Sequence, residues 1–282
     1  VGTSGTGMHA TTSGASNAIS TESGEVNVSG NAANGNGYGM SATIFGSNSI
    51  STESGSVNVS SISKTNNALG MTAVSSGSNT ITTESGDVAV SGNGASIGSG
   101  MAASSGSNVI TTASGNVTVT GGNTASSVGH GMSAYSTDSS NAINTESGDV
   151  TVTGSGKAGY GMHAISSGSN AITTDSGNIT VTGQADNYGY GMYVSGSGHN
   201  VIETQSGFVT VVSKGSGSDM HAVFATGAGS TNTIKGGLGS SVALESAQKT
   251  LNAQGGGKNF ITGGDVSVHS TASNSKAVYA TG

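Results

Sequence analysis

The sequence has no cysteine, no proline, no tryptophan and no arginine. Without cysteine there is no disulfide framework, so cohesion must come from packing and hydrogen bonds. The missing proline argues against a linker, which tolerates it, and for interior β-strands, which do not. Seven lysines and no arginine, against fourteen acidic residues, leave a net charge of −7 and no basic patch for a phosphate backbone, which excludes nucleic acid as a partner. Charged residues are 7% and aromatics 4% of the chain. No apolar run approaches the ~18 residues that a membrane-spanning helix needs. No signal peptide opens the chain, which starts in mid-repeat and reads as a processed or excised piece.

What is present is small and polar. Of 282 residues, 50 are glycine and 52 are serine. Glycine, serine, threonine and asparagine are poor helix-interior residues, which excludes an ordinary helical or α/β enzyme. Such a composition alone would read as disorder. Period argues otherwise. An asparagine recurs at 17, 48, 79, 108, 141, 170, 200, 232 and 259, with an isoleucine two residues after each. An apolar-x-apolar pair follows, as in Val26/Val28, Val88/Val90, Val150/Val152 and Ile179/Val181. Next comes a Gly-rich stretch and a Met-x-Ala pair. All eight methionines, Met8, Met40, Met71, Met101, Met132, Met162, Met192 and Met220, fall in that slot, and Leu251 and Val278 continue it.

Each unit therefore holds three short alternating segments, I-x-T, V-x-V and M-x-A, whose apolar residues share a face. None can bury that face alone; stacked copies can. The expected fold is all-β: a right-handed parallel β-helix, a three-sided solenoid of about nine coils of ~30 residues, with an axial length of roughly 45 Å at ~4.8 Å per coil. Residues 1–282 read as a single β-helix repeat domain, a fragment of a longer protein. Threonine two after each isoleucine, from Thr21 to Thr204 in seven coils, points inward, with its hydroxyl placed to bond along the stack. The Ser-Gly pairs that follow supply turn glycines. Stacked asparagines are expected to form amide ladders. Loop length drifts most between the second valine and the methionine, which makes the Gly-rich stretch the expected variable binding face. Lys235-Gly-Gly and Glu245–Lys249 make the eighth coil the outlier.

Units such as SNAINTESGDVTVTGSGKAGYGMHAISSG (140–168), with N-x-I, D-V-T-V-T-G and G-x-G-M-x-A, resemble the repeats of bacterial autotransporter passengers and, more loosely, filamentous-haemagglutinin exoproteins. The resemblance covers the whole chain. It implies an extracellular, cell-surface location, a β-helix, and a role in adhesion, self-association or as a stalk. Partners would be a host surface, matrix or glycan, or like molecules, with no membrane insertion by this segment. The lack of cysteine suits passage across an outer membrane in unfolded form.

Four groupings carry chemistry. Glu22, Glu53, Glu84, Glu146 and Asp175 share one slot, and Glu25, Asp87 and Asp149 a second. Stacked carboxylates would draw Ca²⁺ or another hard cation; a solvated turn whose oxygens accept backbone N–H groups is the simpler reading. Six dispersed histidines, three of them (His9, His163, His221) one after a methionine, offer no catalytic set. Tyr38, Tyr160 and Tyr190, with His130, lie two before methionine, and Tyr193 and Tyr279 lie one after. Such rings would stack on sugars, meet a protein partner, or cap loops. Thr118/Thr120, Thr151/Thr153 and Thr180/Thr182 make a short outward grid of the kind found on ice-binding solenoids. The sequence assigns no catalytic, cofactor-binding or metal-binding residue. The function it points to is a non-catalytic structural or adhesive segment, with a glycan-binding or glycan-cleaving β-helix as the alternative.

Overall fold

A computed structural model describes residues 4–123, 128–273 and 275–281. The chain is an all-β parallel solenoid of nine coils. Each coil contributes one strand to each of three axial columns. In the second coil these are Asn48–Ser54, Val57–Ser63 and Ala68–Ala73, here the N, V and M strands. An extra M strand, Gly5–Ala10, precedes the first coil. The nine N strands form one sheet. The V and M columns belong to a second, 17-stranded sheet. They are joined because two coils run V into M without a break, over Val150–Ala164 and Ile179–Ser195. By strand column the molecule is three-sided; by hydrogen bonding it has two sheets.

Register follows residue type. Asn48 pairs with Asn79, Ile50 with Ile81, Val57 with Val88 and Met40 with Met71. The core is these columns stacked: Ile50, Ile81, Ile110, Ile143 and Ile172 are solvent-inaccessible, as are Met40, Met71, Met101, Met132, Met162 and Met192. About five apolar side chains per coil suffice because the solenoid is thin and each is covered from above and below.

The methionine column departs from the sequence expectation at one coil. Met220 pairs with Gly189; Val223 takes the slot beneath Met192, and Ala225 that beneath Val194. Two overlapping frames, Met-His-Ala and Val-Phe-Ala, compete within residues 220–225. The second places its apolar residue twelve after Val211, the same interval as Val28 to Met40. His221 consequently leaves the slot expected for it and lies beneath Tyr190.

Glycine has two structural uses. Gly24, Gly55, Gly86, Gly115, Gly148, Gly177 and Gly207 turn the chain from N to V strand at φ between 103° and 139°, a region closed to most side chains. The glycine before seven of the eight methionines, all but Met220, sits where the core narrows. A Cβ on Gly131 would lie 2.5 Å from Val152 Cγ1 and 2.6 Å from the Gly161 carbonyl. Gly131 and Met132 thus both face inward, so the residues flanking them, His130 and Ser133, share the outer side. The Gly-rich stretch is consequently not a free binding loop. A Cβ on Gly121, Gly154 or Gly183 would overlap the carbonyl of His130, Tyr160 or Tyr190 in the M column of the same coil. The part of this stretch at 124–127 lies outside the described residues.

Candidate functional site: an amide ladder and an aromatic face

The asparagines form a continuous ladder. Asn17 Nδ2 donates to Asn48 Oδ1, Asn48 to Asn79, and so on through Asn108, Asn141, Asn170, Asn200 and Asn232 to Asn259, every bond 2.8–2.9 Å. The second N–H of each amide donates across the coil to a carbonyl one residue past the methionine slot, such as Thr72 O at 2.7 Å, His163 O at 2.9 Å and Tyr193 O at 2.9 Å. One side chain thus satisfies an inter-coil bond and an N-to-M bond together, and the interior amides are solvent-inaccessible. The inward threonines behave differently from expectation. Thr52, Thr83 and Thr112 donate to the carbonyl two residues on in their own coil, at 3.0–3.1 Å, and not along the stack. There the hydroxyl closes the corner before the turn glycine.

The acidic rows are turn acceptors and solvated edges. Asp87 Oδ1 accepts Asn116 N–H at 2.8 Å, Asn116 Oδ1 accepts Asp149 N–H at 2.9 Å, and Asp149 Oδ1 accepts Asn178 N–H at 2.8 Å. Acid alternates with amide, which separates like charges by two coils. The Glu84, Glu146 and Asp175 carboxylates are exposed and border a shallow axial groove floored by Thr82, Thr111, Asn144 and Thr173. Among the described residues no three His, Cys, Asp or Glu side chains converge on a metal position. The outward threonines line up as foreseen: Thr118, Thr151, Thr180 and Thr210 in one row, Thr120, Thr153 and Thr182 in the next.

The outer side of the M column holds what the sequence reading dispersed. His130, Tyr160, Tyr190 and His221 stack in register, and beside them His163, Tyr193 and Phe224 form a second row. Tyr160 lies 5.0 Å from His130, 4.5 Å from His163 and 5.0 Å from Tyr190 between centroids, with interplanar angles of 11° to 21°. Tyr135 meets His130 and His163 edge-on. The ring faces that a sugar would use are covered by other rings, and each pair adds about 0.5–1.5 kcal/mol beyond area burial. Of the other tyrosines in these slots, Tyr38 accepts from Asn36 Nδ2 at 2.9 Å, and Tyr279 lies between the Lys249 and Lys276 ammonium groups.

Electrostatics differ at the two ends of this face. At one end Asp219 accepts from the Tyr190 hydroxyl and from His221 Nε2, the latter at 2.5 Å, while His221 Nδ1 donates to Lys249 O at 2.7 Å. The hydrogen bond from His221 holds the Asp219 carboxyl below its ordinary range against partial desolvation, and burial together with Asp219 raises the Tyr190 phenol. At the other end burial pushes His163 down to about 4 and His130 well below its ordinary value, the latter helped by His163. Burial raises Tyr160 to about 12. His163 Nδ1 and His130 Nε2 are 3.2 Å apart. Sequence reasoning missed Tyr135 and Phe224 and treated the histidines as separate. The available signal was that the residue after the core slot is aromatic in three successive coils, His163, Tyr193 and Phe224, once Val223 is taken as the slot. Compared with protein-family models, curated proteins and solved structures, the chain matches none.

Proposed function

We propose that the chain is a non-catalytic structural and adhesive shaft from a secreted bacterial surface protein of the autotransporter-passenger or filamentous-haemagglutinin kind. The single observation that carries this reading is the uninterrupted amide ladder from Asn17 to Asn259. It ties every coil to the next inside the core, which is what a projecting stalk under shear requires and what a site for turnover does not. Among the outer rows those of the V strands are uncharged hydroxyls and amides, suited to zipping against a second shaft or a matrix protein through many weak hydrogen bonds. The expected location is the bacterial cell surface. Beads coated with the purified chain should clump or attach to host cells or matrix; coated beads that behave as uncoated ones would refute the reading.

The axial groove favours a second reading, glycan binding. Its threonine floor and carboxylate border follow the stacking direction from Thr82 to Thr173, and a polyhydroxylated chain laid along the axis would meet a repeating donor and acceptor pattern. Saturable binding on a glycan array, abolished by Glu146→Lys, would select it over the adhesive shaft.

A further inference from the structure

Two exposed apolar side chains occupy costly backbone. Ile44 and Phe45, at the corner from M to N strand, have φ of 49° and 61° and are 46% and 62% exposed. The same corner is turned one coil on by Ser75 and Ser76, and four coils on by Ser166 and Ser167, all at positive φ. The turn therefore needs no large side chain. Strain of this kind persists where it serves a contact or a site, and aromatic groups are enriched at the centre of protein interfaces.

A surface that can receive them lies at the other end of the M column. At the corner from V to M strand, between the first and second coils, Asn31, Ala32, Ala33, Ile62 and Lys64 line a pocket of about 250 Å³. That is below the roughly 300–1,000 Å³ of small-molecule sites and suits a protein side chain. Ile62 makes its wall apolar, in a row where Asn31 and Asn93 stand on either side. The heights of anchor and pocket along the axis agree. Ala32 and Ser63 stack in register at this corner. Phe45 comes 12 residues after Ala33 and 19 before Lys64, so its height falls between the two coils that form the pocket. A second copy with its axis parallel, shifted sideways along the M column, brings its pocket to this copy's Phe45. The same shift makes a charged pair. Asp138, on the M-to-N corner three coils further along, precedes Lys157, on the V-to-M corner, by the same 19 residues. Both are exposed, and among the described residues neither has an ion-pair partner in its own chain.

We propose that the M-to-N corner of one copy docks on the V-to-M corner of a second, with Phe45 seated beside Ile62 and Asp138 paired with Lys157. This contact rests on the reading of the chain as a self-associating shaft and gives that shaft its surfaces. The two corners are different patches, so the contact is heterologous and does not close: shafts add side by side, in parallel, into an open row.

Sedimentation velocity of the purified chain over a concentration series tests the contact. Expected are species that grow past the dimer. Phe45→Ser, the residue type other coils use at that corner, and Ile62→Asn, the type used by its row neighbours, should each weaken association more than about tenfold while strand circular dichroism stays native. Mixed in equal amounts, the two variants should form a dimer and nothing larger, because one keeps the pocket and the other keeps the anchor. Asp138→Lys should weaken association, and adding Lys157→Asp to the same chain should restore it. An association that stops at a closed dimer overturns the proposal. Variants that associate as the parent does refute these surfaces while self-association stands. A parent that stays monomeric, yet attaches to host cells or matrix when coated on beads, refutes the contact while the adhesive reading stands.

Discussion

At the residue scale, what decides this fold is the number of partners a buried polar group has. Asn141 accepts from Asn108 and donates to Asn170 and to His163 O. Asn141→Asp keeps the shape, loses both donors and sets carboxylate oxygens against two acceptors. At about 1–3 kcal/mol for each group left unmet, the expected loss is roughly 3–5 kcal/mol in urea unfolding; a loss under 1 kcal/mol would contradict the ladder's role. Ile44 and Phe45 hold the corner between M and N strands at φ 49° and 61°, both largely exposed. A β-branched residue there is strained by about 1–2 kcal/mol. Ile44→Asn, which tolerates that conformation, should raise stability by roughly 1 kcal/mol in the same assay.

Titration acts at this scale too. His163 and His130 have native affinities for protons below their unfolded value of 6.5, and His163 falls to about 4. The unfolded chain therefore binds more protons than the native one below pH 6.5, so stability is full above that and falls as pH drops toward 4. His163→Gln should flatten this slope, read as urea midpoints from pH 7 to pH 4. Tyr160 works in the opposite sense: raised from 10 to about 12, it supports the fold below pH 10 and loses that contribution as pH rises through 12.

At the element scale, alternation and period were enough to place the N, V and M strands and to name their inward residues, because each coil repeats the same steric problem. Turn glycines and the amide ladder were legible for the same reason. Three things were not. The frame of the coil holding Met220 was ambiguous, since two M-x-A-like triplets overlap and only the fixed interval from Val211 selects one. The direction of the threonine hydroxyl depends on a rotamer, not on spacing. The convergence of His130, His163, Tyr160 and Tyr190 depends on the inward Gly-Met pair, which brings positions of opposite parity to the same outer side. Gly131→Ala tests that pair: its Cβ would meet Val152 Cγ1 and the Gly161 carbonyl. It should cost several kcal/mol by the usual scale of core overpacking, and less when combined with Met132→Val, which copies the Ala222-Val223 arrangement of the coil holding Phe224.

At the scale of the whole molecule, the contacts are almost all between neighbouring coils, which makes the solenoid a one-dimensional chain of interfaces. The ladder, the isoleucine and methionine columns and the stacked rings all run along the axis and none crosses it to a second core. Stiffness and a long repetitive flank are the properties such a structure offers, and adhesion through that flank is the function proposed from them. The most direct measurement displays residues 1–282 on non-adherent cells, beside Asn141→Asp at equal surface level, and scores clumping and attachment to host cells and matrix. The account predicts clumping or attachment with the intact ladder and its loss in the variant. Cells bearing the intact chain that neither clump nor attach would contradict it.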